Sequence, residues 1–286
     1  MHLRMLLVFS LTMSFAVSAS ELQPTKSGMY DIGGFSLYLE CYENDKPKLV
    51  LEQGFGRAGS DGVWLDHIKS LRDQYSVCLY DRSGLGKSEK GPVPFTINDN
   101  ANRLHALLSA AEVTPPYYFA GGSYASYIIT AYNTLYPDEV LGAVFIAPPT
   151  LGYFYTMGTR WPENFETDNE ELKRYMEFEK SVLNPMFERV PENVDHMKSY
   201  QQLSGSSDFD SKPIIVIRSK PSEEPYDPPF VPDEIAKRME LLEQGAENYF
   251  SSLSTDVKIV YSESENHHLH ISDPDLVVSK IKALAR

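Results

Sequence analysis

The stretch "YYFAGGSYASYIITAY", Tyr117 to Tyr132, sets an apolar strand-like run against two glycines, one serine and a helix-like run with no linker between them. Gly121 and Gly122 are either ordinary turn residues or part of a sharp bend that holds Ser123 up as a nucleophile. The order Gly121-Gly122-Ser123-Tyr124-Ala125 fits the nucleophile elbow G-x-S-x-G with alanine in the last place. A serine at the tip of a strand-to-helix turn has a strained backbone, and small residues two before and two after it keep strand and helix from colliding. The helix that starts at once puts Ser123 and the Tyr124 N–H at a helix N-terminus, where negative charge is favoured.

Working outward, strand-like runs recur at 48 to 54 ("KLVLEQG"), 75 to 81, 116 to 122, 141 to 149, 213 to 219 and 256 to 264. Helix-like stretches lie between several of them: "DGVWLDHIKSLRDQ", "TINDNANRLHALLSAAE", "YASYIITAYNTLY" and, at the end, "DPDLVVSKIKALAR". Such alternation predicts a parallel sheet with crossover helices on both faces. "MYDIGGFSLYLECYE" reads as a hairpin turning at Gly33 and Gly34, adding antiparallel strands at one side. From about 150 to 211 no convincing buried strand is present, but charged helix-like runs and aromatics such as Tyr153, Phe154, Trp161 and Tyr175 are. An insertion there is expected to form a helical cap over the C-terminal edge of the sheet, where α/β proteins bind ligands. Most of its aromatics are expected simply to pack it onto the body.

A second glycine turn, Gln53-Gly54-Phe55-Gly56, follows the first parallel strand and can aim the Phe55 N–H into an oxyanion hole beside the Tyr124 N–H. "YDRSGLGKSEKGP" adds a further glycine-bearing loop after the next strand.

The chain of 286 residues is 42% hydrophobic and 23% charged, enough for one large core, and carries a formal net charge of -14. That charge would repel nucleic acid and anionic membranes, so small-molecule partners are expected. The first residues, with His2 and Arg4, an apolar stretch from Met5 to about Val17 and small residues around Ala19, have the layout of a signal peptide. Residues 1–19 are read as that leader and 20–286 as the mature, secreted or periplasmic domain, without a membrane span after cleavage. An uncleaved anchor or a buried N-terminal helix is the alternative. Cys41 and Cys78 lack any CxxC or His-rich neighbourhood, so no metal site is expected. In an oxidising compartment the pair can form a disulfide, while two reduced buried thiols are the other reading.

With these segments in order, from the Gln53-Gly54 turn through "YDRSGLGKS", "GGSYAS" and "YPDEVLGAVFIAPP" to "NHHLHISDPDLV", the sequence closely resembles the α/β-hydrolase superfamily. The resemblance runs from about Met29 onward, apart from the cap. It implies eight strands, mostly parallel, with the nucleophile after the fifth and a catalytic histidine late in the chain. His267, His268 and His270 compete for that place. Family members commonly carry a proline seven residues after the catalytic histidine, and Pro274 selects His267 as general base. The family's strand order also makes the strands of Cys41 and Cys78 neighbours.

The acid is less clearly marked. Ala147, Pro148 and Pro149 stand where some members place it, and Ser222 stands where aspartate is most often found. Glu223, next in the chain, is the expected acid, with Glu224 and Asp227 further on and a dyad or water orienting His267 as the alternative. The resemblance therefore implies a serine hydrolase that cleaves an ester or amide through an acyl-enzyme on Ser123, with no metal or organic cofactor. The doubled glycine before the serine also resembles prolyl-aminopeptidase-like members, whose substrate ammonium an acidic cap could receive. A catalytically silent ligand-binding member is the reading from another class, because this fold hosts many functions.

Overall fold

A computed structural model describes residues 22–186, 192–222 and 226–285. Its eight strands are β1 (Lys26–Asp31), β2 (Ser36–Tyr42), β3 (Lys48–Glu52), β4 (Ser76–Tyr80), β5 (Tyr117–Gly122), β6 (Val140–Ile146), β7 (Ile214–Arg218) and β8 (Val257–Tyr261). They form one sheet in the order β1-β2-β4-β3-β5-β6-β7-β8, antiparallel at β1-β2 and β2-β4 and parallel from there on. Gly33 and Gly34, both at positive φ, turn the β1–β2 hairpin, and Asp31 Oδ1 accepts from both of their N–H groups. The inner parallel strands are apolar almost without interruption because helices cover both faces.

Ten helices surround the sheet among the described residues: α1 (Leu65–Leu71), α2 (Ile97–Ala110), α3 (Ala125–Leu135), α4 (Tyr153–Thr159), α5 (Glu170–Ser181), α6 (His196–Ser204), α7 (Asp233–Gln244), α8 (Ala246–Ser251), α9 (Leu269–Ser272) and α10 (Pro274–Leu284). Strand alternation divides the core. Leu49, Leu51, Val77 and Ile146 meet Ile68 of α1 and Val277 and Ile281 of α10 on one face, while Val50, Phe119 and Phe145 meet Leu104 of α2 and Ile128 of α3 on the other. A capping box at Thr96 and Asp99 starts α2, and Pro274 starts α10, where its missing N–H costs nothing.

Between β6 and β7 the chain makes α4, α5 and α6. Trp161 and Leu172 from this insertion share a small third core with Val231 and with Ile235 of α7, so the segment after β7 packs with the insertion. Helices α7 and α8 fill a stretch to which the strand-and-helix alternation assigns no element. Cys41 and Cys78 face each other in the β2–β4 register and are joined as a disulfide, with Cα atoms 4.1 Å apart. No described helix is long and apolar enough to cross a membrane. Residues 1–19, read as a leader, lie outside the described residues.

Candidate active site

The bend after β5 takes the form that the serine needs. Ser123 sits at φ +53, its N–H donates to the Ile146 carbonyl at 2.8 Å, and its own carbonyl accepts from the Ser126 N–H at 3.0 Å. The glycines differ in role. A Cβ on Gly121 would lie 2.4 Å from the Ala125 Cβ and 2.9 Å from the Glu52 carbonyl oxygen, whereas one on Gly122 would meet nothing closer than His270 Nδ1 at 3.5 Å. Strand β5 and helix α3 therefore cross directly at Gly121, and only one of Gly121 and Ala125 can carry a methyl group there.

The loop after β3 lies against this elbow, since a Cβ on Gly54 would come within 3.5 Å of the Gly122 carbonyl and 3.7 Å of Ser123 Cβ. The backbone N–H groups of Phe55 and Tyr124 donate to no described residue. The Phe55 ring packs edge-on against Tyr124 at 5.2 Å and also against Phe154 at 5.7 Å and His196 at 5.5 Å. Beneath it lies a buried ionic network. Arg82 donates to Glu52 at 2.6 Å, to Glu192 at 2.7 and 2.8 Å, and to the Gln53 and Gly54 carbonyls at 2.7 Å each. Tyr80 donates to the other Glu52 oxygen. Burial pushes the Glu52 carboxyl up, opposed by Arg82 beside it.

Two cavities meet at Ser123. One, of about 340 Å³, is lined by Ser123 and His267 together with Ala147, Tyr153, Phe154, Lys220, Ser222 and Tyr226, among others. The second, of about 210 Å³, runs past Gln53, Gly54 and Phe55 and is lined by His267, His268 and His270. Of the three competing histidines, His267 alone borders both. His270 is stacked on Trp64 at 5.3 Å and buried behind Gly122, where burial holds it down to about 4, with its Nδ1 sealed away from any described partner. Burial, then the neighbouring His268, also lowers His267. No hydrogen bond joins Ser123 Oγ to the His267 ring.

Glu223 and Glu224 lie outside the described residues. Of the other carboxylates near the β7 loop, Asp227 is held by Arg160 through two 2.6 Å bonds and by Tyr175 at 2.9 Å, and Glu243 is paired with Arg218. No described carboxylate hydrogen-bonds to His267, and Ala147, itself at φ +46, brings only a methyl group to the cavity. Glu179, in α5 of the insertion, is likewise bound to Arg160 and to Trp161 Nε1. Sequence reading singled out neither Arg160 nor Glu192. Their partners lie far along the chain, so local spacing carries no trace of them. Arg82 stands inside YDRSGLGKS, but its partners Glu52 and Glu192 lie 30 and 110 residues away.

Residues 47–190 match the family model described as alpha/beta hydrolase fold, and the chain belongs to that family. It is 24% identical over 232 residues to the uncharacterized protein YqjL of Bacillus subtilis (strain 168), covering 80% of this chain and 79% of that one. Among solved structures it is similar to alpha/beta hydrolase domain-containing protein 10 from mouse, with a TM-score of 0.61 and 13% identity over 91% of this chain and 98% of that chain. It is also similar to E-2-(acetamidomethylene)succinate hydrolase, with a TM-score of 0.55 and 16% identity over 91% of this chain and 98% of that chain.

Proposed function

We propose that the protein is a serine hydrolase that cleaves a carboxylic ester, or less readily an amide, of a small-molecule substrate. The observation that carries this is Ser123 at φ +53, followed by the Tyr124 N–H and packed against the loop of the Phe55 N–H, neither of which donates to a described residue, on a cavity wall that it shares with His267. Ser123 attacks the substrate carbonyl as His267 takes its proton. The Phe55 and Tyr124 N–H groups hold the oxyanion, the protonated His267 returns the proton to the leaving group, and water then hydrolyses the acyl-enzyme. Glu223 is proposed as the acid that orients His267. In support, Ser222 lines the cavity with His267, and the competing Asp227 is engaged by Arg160. Residues 150–211 act as the cap, supported by Tyr153 and Phe154 on the cavity wall.

The aminopeptidase reading needs a free carboxylate for the substrate ammonium. Glu179, Asp227 and Glu243 are each paired with an arginine, which favours the ester reading. Export, with residues 1–19 removed, is supported by the leader's composition and by a disulfide that oxidising compartments preserve.

Labelling of Ser123 by a fluorophosphonate, followed by turnover of a panel of p-nitrophenyl esters and aminoacyl-naphthylamides, tests the reading. Ser123→Ala is expected to lose label and on the order of 10³-fold or more in activity while staying folded. Ester hydrolysis by Ser123→Ala at the wild-type rate would remove the mechanism. A wild-type protein that takes no label would leave the ligand-binding reading in its place.

A further inference from the structure

Glu192 lies in the insertion between β6 and β7, 136 residues from the loop after β3, yet its Oε2 accepts from the Gly56 N–H at 2.7 Å. The same carboxylate takes two bonds from Arg82, whose remaining donors reach the Gln53 and Gly54 carbonyls and Glu52. Arg82 and Glu192 are each 2% exposed. The turn that presents the Phe55 N–H is thus held at three consecutive places: two carbonyls on Arg82, the Phe55 ring among Tyr124, Phe154 and His196, and the Gly56 N–H on Glu192.

Glu192 itself has a firm base. Val194 pairs with Phe95 as a short parallel bridge, with Phe95 N–H to Asn193 carbonyl at 3.1 Å and Asp195 N–H to Phe95 carbonyl at 2.8 Å. About one helical turn on, Ser199 Oγ accepts from the Ile97 N–H at the start of α2 at 3.0 Å. This limb of the insertion is tied to the sheet domain independently of α4 and α5.

We propose that Glu192 is a positioning residue for the oxyanion hole: through Gly56 and Arg82 the insertion sets the direction of the Phe55 N–H as well as covering the site. The proposal rests on the serine-hydrolase reading for its catalytic consequence but not for its geometry. A donor that must face a developing oxyanion contributes only if it is pre-aimed. Replacing the carboxylate by an amide removes its charge and one of its two acceptor oxygens, so the part-buried Gly56 N–H and the Arg82 guanidinium compete for the oxygen that stays, and the turn is expected to loosen while the elbow at Ser123 stays formed.

The test compares wild type, Glu192→Gln, Glu192→Asp and Leu172→Ala, the last a core-truncating control in the insertion's small third core. Amide exchange over 53–58 is expected to rise at least about tenfold in Glu192→Gln, with exchange over 120–126 unchanged and Glu192→Asp intermediate. Phosphonylation of Ser123 and kcat are expected to fall on the order of 10²-fold in Glu192→Gln with KM within about twofold, and neither to fall in Leu172→Ala. Unchanged exchange over 53–58 overturns the clamp. Faster exchange with an unchanged labelling rate overturns its link to the oxyanion hole. If wild type takes no label, the serine-hydrolase reading falls together with that link, and the exchange measurement still decides the clamp. Should Glu192→Gln not fold, Glu192→Asp carries the same two readouts.

Discussion

At the scale of single residues, the surroundings of His267 give the sign of its pH dependence. Burial and the neighbouring His268 both lower it from the ordinary value, so the neutral ring persists to lower pH than in an exposed histidine. A carboxylate on the ring's other nitrogen would act in the opposite direction. If Glu223 is the acid, Glu223→Gln is expected to move the acid limb of the kcat/KM profile downward. The same variant is expected to lose on the order of 10² to 10⁴-fold in kcat, with Glu224→Gln much milder. A limb that stays in place would show that Glu223 does not face His267. His267→Ala is expected to be nearly inactive, whereas His268→Ala and His270→Ala keep far more activity. Equal losses at the three positions in an ester assay would undo the choice of His267.

At the scale of elements, the crossing of β5 and α3 depends on Gly121 rather than on Gly122. Gly121→Ala must force the Ala125 methyl group or the Glu52 carbonyl aside, an overpacking that typically costs about 1 to 3 kcal/mol and here also tilts the elbow. Gly122→Ala meets only ordinary contacts and is expected to cost far less. Urea denaturation and Ser123 labelling of the two variants would show this, and equal stability losses would contradict it. The strands were legible in the sequence because a parallel sheet buried on both faces needs short, continuous apolar runs, as in 48–52 and 214–218. Helix α7 left a weaker mark. It buries only Ile235 and Met239 in "DEIAKRMELLEQ", and what it packs against comes largely from the insertion rather than from the neighbouring strands.

At the scale of the whole molecule, the Cys41–Cys78 bridge closes a loop of sequence separation 37 and joins the antiparallel edge to the parallel sheet. By the loop-entropy argument, its removal in a Cys41→Ala, Cys78→Ala double variant is expected to lower stability by about 2 to 4 kcal/mol. Urea titrations of both proteins with and without reductant would measure it: reductant should weaken wild type and leave the double variant unchanged. Two free thiols titrated in the denatured, unreduced protein would contradict the bridge.

What the sequence determined by itself is local. Gly121-Gly122-Ser123 encodes a bend between a strand pattern and a helix pattern, Gly33-Gly34 encodes a hairpin, and alternation of the two patterns encodes the layered sheet, because each depends on residues within a few positions of one another. The tertiary structure alone decided which charges are available. Asp227 stands in the sequence as one more acidic residue after Glu223, but it is occupied by Arg160, and Glu243 by Arg218. Glu192 carries no sequence signal at all, yet it reaches Gly56 across 136 residues. Burial of a charge requires a partner, and which partner it meets is set by the packing of distant segments, which leaves no period or spacing along the chain.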